Sequence, residues 1–140
     1  KRAVISRLDQ GLNELARDGA DVERWNLLHA DQTPRMSWVA QCLDGAQGPA
    51  IAATDYIRNY AEQIRAYVPG DYHVLGTDGF GRSDSREALR RHFEVDRYYV
   101  TVVALKALAD QKAGGISGKT VLKAMTKYGI DPEKPNPLHA

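Results

Sequence analysis

Two glycine-rich stretches hold the residue types that could do chemistry. The first is Gly76-Thr77-Asp78-Gly79-Phe80-Gly81-Arg82-Ser83-Asp84-Ser85-Arg86, between an apolar run and a polar, helix-forming segment. Nucleotide-binding loops occupy that position, with backbone amides turned toward a phosphate. Its glycines are spaced G-x-x-G-x-G, however, whereas a dinucleotide site needs G-x-G-x-x-G, and Asp78 would place a negative charge beside any phosphate. A tight connection is the stronger reading: Gly79 and Gly81 admit left-handed dihedrals, while Asp78 and Asp84 cap backbone amides. The second stretch, Gly114-Gly115-Ile116-Ser117-Gly118-Lys119-Thr120, matches a phosphate-cradling loop only at its Gly-Lys-Thr end. Ala113 stands where that motif needs glycine, and a helix precedes it where a strand is required. A capped helix start accounts for it better.

The remaining candidates point to structure. His29, His73, His92 and His139 have no close mutual spacing and no carboxylate at ligand spacing, so the sequence gives no support for a metal site. His73 falls in a strand and reads as a core or interface histidine. No G-x-S-x-G nucleophile elbow is present. Cys42 lies on an apolar helical stripe and is expected to behave as a small hydrophobe. Arg82, Arg86, Arg90 and Arg91 are interleaved with Asp84 and Glu87, a pattern of helical ion pairing and of a salt-bridged interface. Tyr98-Tyr99 belongs to packing.

The elements that must position these residues alternate in type. Ile5, Leu8, Leu12 and Leu15 share one helical face, and Asp18-Gly19 is expected to end that helix. Thr33-Pro34 signals a second start, with Trp38, Val39, Cys42 and Leu43 as its stripe and Asp44-Gly45 as its stop. Residues 50–54, Ala-Ile-Ala-Ala-Thr, are apolar and too short for a helix, so they read as a buried strand. Asp55 is expected to cap a helix carrying Tyr56, Ile57, Tyr60, Ala61, Ile64 and Tyr67; Pro69-Gly70 stops it before a second strand, Tyr72-His73-Val74-Leu75. Strand, helix, strand predicts a right-handed parallel crossover and an α/β fold. Ser83 or Asp84 then caps a helix over 85–93. Asp96 caps another, apolar on nearly every side and so expected to be buried. Ser117 caps a last one whose stripe is Val121, Leu122, Met125 and Tyr128, closed by Gly129-Ile130 in a Schellman stop. The proline-rich tail is expected to be extended. Two strands are too few for a parallel sheet: either Val4-Ile5 is a poor third, or residues outside this chain complete the sheet.

The chain has 140 residues, 43% of them hydrophobic, with 19 Lys+Arg against 18 Asp+Glu. That balance excludes compositional disorder and argues against an electrostatic nucleic-acid or membrane binder. One cysteine makes no internal disulfide, so a reducing compartment is expected. No apolar run approaches the roughly 20 residues of a membrane span. A chain opening on Lys1 is expected to be a processed product or a piece of something longer.

Several stretches together resemble a known family. Gly48-Pro49-Ala50-Ile51-Ala52-Ala53-Thr54-Asp55-Tyr56, Ala61-Glu62-Gln63-Ile64-Arg65-Ala66-Tyr67-Val68-Pro69, and the run from Leu75 through Arg86 are similar to the transketolase-like C-terminal domain of the homodimeric-type pyruvate dehydrogenase component. Arg91-His92-Phe93-Glu94-Val95-Asp96, Asn136-Pro137, Leu15-Ala16-Arg17-Asp18-Gly19 and Glu23-Arg24-Trp25-Asn26-Leu27-Leu28-His29 extend the resemblance. It implies a partial three-layer α/β domain over 14–130, after an unmatched 1–13 and before a tail at 131–140. The family decarboxylates pyruvate on thiamine diphosphate with Mg2+ and passes the acetyl group to a lipoyl arm, on the way to acetyl-CoA. The implied partners are upstream domains of the same subunit, a homodimer partner and the lipoyl acetyltransferase core, in the cytoplasm, with no nucleic acid and no membrane. The family's cofactor signature is Gly-Asp-Gly followed at a distance by Asn. Here Thr77-Asp78-Gly79 begins with threonine and no asparagine lies between Asn59 and Asn136, so no ligand carries over. What does carry over is an interdomain contact, through Asp78, Gly79, Phe80, Gly81, Arg82, Ser83 and Arg86. Two departures stand out: Lys1 to Asn13 does not resemble the strand, helix and strand that open the family's domain, and Lys112-Ala113-Gly114-Gly115 replaces a shorter turn. The rival reading is a stand-alone α/β module binding an anion or nucleotide on the same loop.

Overall fold

The computed structural model describes residues 11–140; Val4-Ile5 lies outside them. Helix α1 (Gly11–Leu28) leads to α2 (Trp38–Leu43), then β1 (Ala50–Ala53), α3 (Arg58–Glu62) and β2 (Tyr72–Leu75). Helices α4 (Arg86–His92), α5 (Arg97–Asp110) and α6 (Gly118–Lys127) follow. The two strands pair in parallel, Ala50 opposite Tyr72 and Ala53 opposite Leu75, the βαβ unit expected from their punctuation.

Strand alternation gives the sheet two faces. Ala50, Ala52, Tyr72 and Val74 face a core built by Leu12, Val39, Leu43, Ala61, Ile64 and Val68 from α1, α2 and the crossover. Ile64 is its most buried side chain, at 1% exposed, a burial that contributes about 1.5–3 kcal/mol. The Tyr72 hydroxyl donates to the Ala61 carbonyl at 3.0 Å, and burial pushes its pKa up to about 12. Across the sheet, α5 packs on β1 and on α6. His73 and Leu75, on that side, are only half-buried.

Several expectations need correction. Helix α1 runs straight through Asp18-Gly19. Gly19 serves close approach there, since a Cβ on it would stand 2.2 Å from the Tyr67 ring. The Asp18 carboxylate accepts from Trp38 N–H at 2.6 Å, and Ser37, not Thr33, caps α2 through Ala40 N–H. Asn26 bonds both main-chain groups of Arg35, which holds the preceding segment out of a helix. Only Val39 and Leu43 of the α2 stripe are buried; Trp38 is 58% exposed and Cys42 is exposed. The crossover is a short α3 followed by a 3-10 turn at Arg65–Tyr67 rather than one long helix.

Farther along, Ser85 rather than Ser83 or Asp84 caps α4, accepting from Ala88 N–H, while Asp84 accepts from Ser85 N–H. Asp96 caps α5 as expected, bonding Tyr98 and Tyr99 N–H. Of α5, only Ala107 is buried: the helix has the composition of a core element without the cover of one. Ser117 precedes α6 with no side-chain cap bond, and Leu122 is exposed. The Schellman stop forms as expected, with Gly129 at φ +60 and Ile130 N–H bonding Met125 O at 2.9 Å. Among the described residues, no helix is long and apolar enough to cross a membrane.

Candidate functional site

The 76–86 loop leaves the carboxyl end of β2, where open parallel sheets place their functional groups. Its first half is fixed. Gly76 packs so closely that a Cβ would stand 2.6 Å from Arg58 N. Thr77 N–H donates to Tyr56 O at 2.8 Å, and the Thr77 hydroxyl to Asp55 O at 2.8 Å. Asp78 turns both carboxylate oxygens to Arg58 N–H, at 3.3 and 3.2 Å, and so caps α3, whose own N-cap residue Ile57 offers no side-chain bond. The expected cap, Asp55, does something else. Its carboxylate receives two bonds from Arg90, at 2.9 and 2.6 Å, and one from Arg86 at 3.2 Å. The Arg90 bond holds its carboxyl below the usual value, with Arg86 adding to it against a smaller penalty of burial.

Gly79 is the glycine the loop requires. Its φ is +128°, and a Cβ there would meet Pro137 O at 2.3 Å. Gly81, expected to share that freedom, has no positive φ and open space around it. The contact with Pro137 corrects the extended tail: Pro137 is buried in a 3-10 turn at Pro137–His139, capped by the Asn136 side chain. Lys134 anchors the same tail, donating to His92 O at 2.6 Å and to Glu94 at 2.9 Å. Glu94 holds φ +63, the position where glycine usually ends a helix. A cleft of ≈ 430 Å³ lies between α3, the loop and this tail.

Beyond Gly79 the loop is exposed. Phe80 is 77% exposed, and Gly81, Arg82, Ser83 and Arg86 are all exposed. The arginine cluster divides. Arg86 and Arg90 clamp Asp55, whereas Arg91 pairs with Asp96 and donates to Tyr128 O and Gly129 O, closing the end of α6. These partners replace Asp84 and Glu87, which make no ion pair among the described residues. Arg82 makes none either; burial, then the Arg82 and Lys134 charges, hold the His92 imidazole below its usual pKa. The loop is therefore an exposed arc, 79–85, hung between two fixed ends. The part played by Asp55 and by the tail was not legible beforehand, because each acts through residues distant in sequence.

The start of α3 is not a vacant anion site, since the carboxylate of Asp78 already occupies it. No group of three His, Cys, Asp or Glu able to hold a metal occurs among the described residues.

The family model of the transketolase-like TK C-terminal domain matches residues 12–96. The chain is 63% identical over 125 residues to the pyruvate dehydrogenase E1 component of Cupriavidus necator, 62% over 127 to that of Pseudomonas aeruginosa, and 59% over 125 to that of Escherichia coli K12. These matches cover 89%, 90% and 89% of this chain, which spans 14% of each relative's length. With the family model covering more than half of it, the chain belongs to the transketolase-like TK C-terminal domain family.

Proposed function

We propose that this chain is the C-terminal-domain portion of a pyruvate dehydrogenase E1 component and that its own role is structural. The complete enzyme would oxidatively decarboxylate pyruvate on thiamine diphosphate with Mg2+ and pass the acetyl group to a lipoyl arm, in the cytoplasm. The observation that carries this reading is 63% identity sustained over 89% of the chain. The described residues do not fit the cofactor or its metal: they contain no ligand cluster, and Asp78 is committed to the α3 amide. No step of the reaction is assigned to them.

What the chain contributes is the exposed arc. Phe80 and Arg82 project from a loop whose ends are fixed by Asp78 and by the Asp55 clamp, so an apolar ring and a guanidinium are held ready for a neighbouring domain or the dimer partner. Aromatic and arginine side chains are frequent anchors of interfaces. The rival nucleotide-binding reading has no support in this geometry.

The test is a chimera in which this chain replaces the matched 125 residues of the Cupriavidus necator enzyme. It is expected to dimerise and oxidise pyruvate. Arg82→Ala in that chimera is expected to lower activity and dimer affinity together, by about tenfold, the equivalent of roughly 1.4 kcal/mol, with thiamine diphosphate affinity unchanged. A variant that keeps full activity and full dimerisation would remove Arg82 from the interface.

A further inference from the structure

Charged residues on the helices of this chain come with their opposites, except on α6. Glu14 pairs with Arg17 on α1, Glu62 with Arg58 on α3 and Asp110 with Lys106 on α5. The arginines of α4 reach Asp55 and Asp96. Helix α6 carries Lys119, Lys123 and Lys127 and no acidic residue. The whole stretch 111–130 holds four lysines and neither Asp nor Glu, in a chain whose formal net charge is only +1.

The three helical lysines form one surface. Steps of four residues set them along a single face over about 12 Å, and all three are exposed. None meets a carboxylate: among the described residues, the lysines in ion pairs are Lys106 and Lys134. Like charges four apart weaken a helix, so this row is kept against the local stability of α6. Leu122, three residues from Lys119, adds an apolar side chain at 62% exposure.

We propose that the lysine face of α6 docks an acidic protein segment, one that sets at least three carboxylates along the row and an apolar contact on Leu122. An apolar contact rimmed by charge is the anatomy of a protein interface. Single-stranded nucleic acid would want exposed rings for stacking, but Tyr128, beside Lys127, lies against Tyr98 with 4.9 Å between ring centroids. A membrane would take the apolar stripe of an amphipathic helix, and that stripe is spent here, with Val121 buried and α6 packed on α5. The proposal goes beyond the E1-component reading and does not depend on it.

The test measures binding of fluorescent poly-L-glutamate to the chimera described above, unsubstituted and in two triple variants. One carries Lys119→Gln, Lys123→Gln and Lys127→Gln; the other carries arginine at the same three positions. Both replacements are good helix formers. The unsubstituted and arginine proteins are expected to bind with equal affinity, weakening as salt is added, and the glutamine variant at least tenfold more weakly. Its Tm is expected to match or exceed that of the parent, because repulsion is relieved. Carbodiimide coupling of poly-L-glutamate to the unsubstituted protein is expected to fall first on Lys119, Lys123 and Lys127. Equal binding by the glutamine variant, coupling that falls elsewhere, or a Tm lowered by several degrees overturns the proposal. Tenfold tighter binding to a single-stranded DNA oligonucleotide, or to phosphatidylglycerol vesicles, overturns it in favour of nucleic acid or membrane. Pyruvate oxidation by the same chimera tests the E1-component reading and is scored separately.

Discussion

At Gly79 two separate requirements meet, a backbone at φ +128° and a Pro137 carbonyl standing 2.3 Å from where a Cβ would lie. Alanine there would strain the turn and push the docked tail away at once. Gly79→Ala is expected to destabilise by about 2 kcal/mol or more, read as a fall in Tm. Gly81→Ala, with open space and no positive φ, serves as the neutral control and should stay within about 0.5 kcal/mol. Equal effects would mean that tail packing is irrelevant to Gly79. Glycines are easy to find in a sequence, but their reasons are not. Gly19 looked like a helix stop because glycine commonly ends helices, and only the Tyr67 ring lying against it explains its place in mid-helix. Cys42 likewise sat on an apolar stripe by spacing, yet the buried row of α2 is Val39 and Leu43, one position further round.

At the scale of elements, the Asp55 clamp ties the turn after β1 to α4. Because its folded-state pKa is lowered, this carboxyl contributes stability that is complete above the ordinary carboxylate range and is lost as pH falls through the lowered value. Asp55 is partly exposed, so the effect is local. Asp55→Asn is expected to loosen the 76–86 loop already at neutral pH, with trypsin cutting after Arg82 several-fold faster. Unchanged cutting would show that the loop is held by other means. The βαβ unit itself was legible: short apolar runs, with Gly48-Pro49 before one and Pro69-Gly70 before the other, leave few alternatives. The local cap at Asp96 was legible; those at Ser37 and Ser85 were missed for residues a few positions earlier, and that of α3 because its partner, Asp78, comes from another loop. Asp55 and Asp78 stand either side of the crossover, and spacing alone favours the nearer.

On the scale of the whole molecule, Leu27, Trp38, Phe80 and Leu122 stand at 58–77% exposure, large apolar side chains that a compact monomer would cover. The 140-residue chain alone is therefore expected to be marginally stable or to self-associate, as measured by calorimetry together with sedimentation. A sharp, cooperative melt of a monomer would contradict this. The sequence pointed to an unfinished sheet through a count of strands, and to α5 as a core helix through its composition.

The cap on α3 sets an order on synthesis. Asp78 follows Arg58 by 20 residues and reaches it only after the chain has turned through β2, so a nascent chain that has just emerged through α3 has no partner for that amide. A five-residue helix is far too short to hold by itself. On the ribosome, the crossover therefore waits for the loop beyond it, and strand, helix, strand and loop arrive as one cooperative event rather than as a sequence of finished pieces.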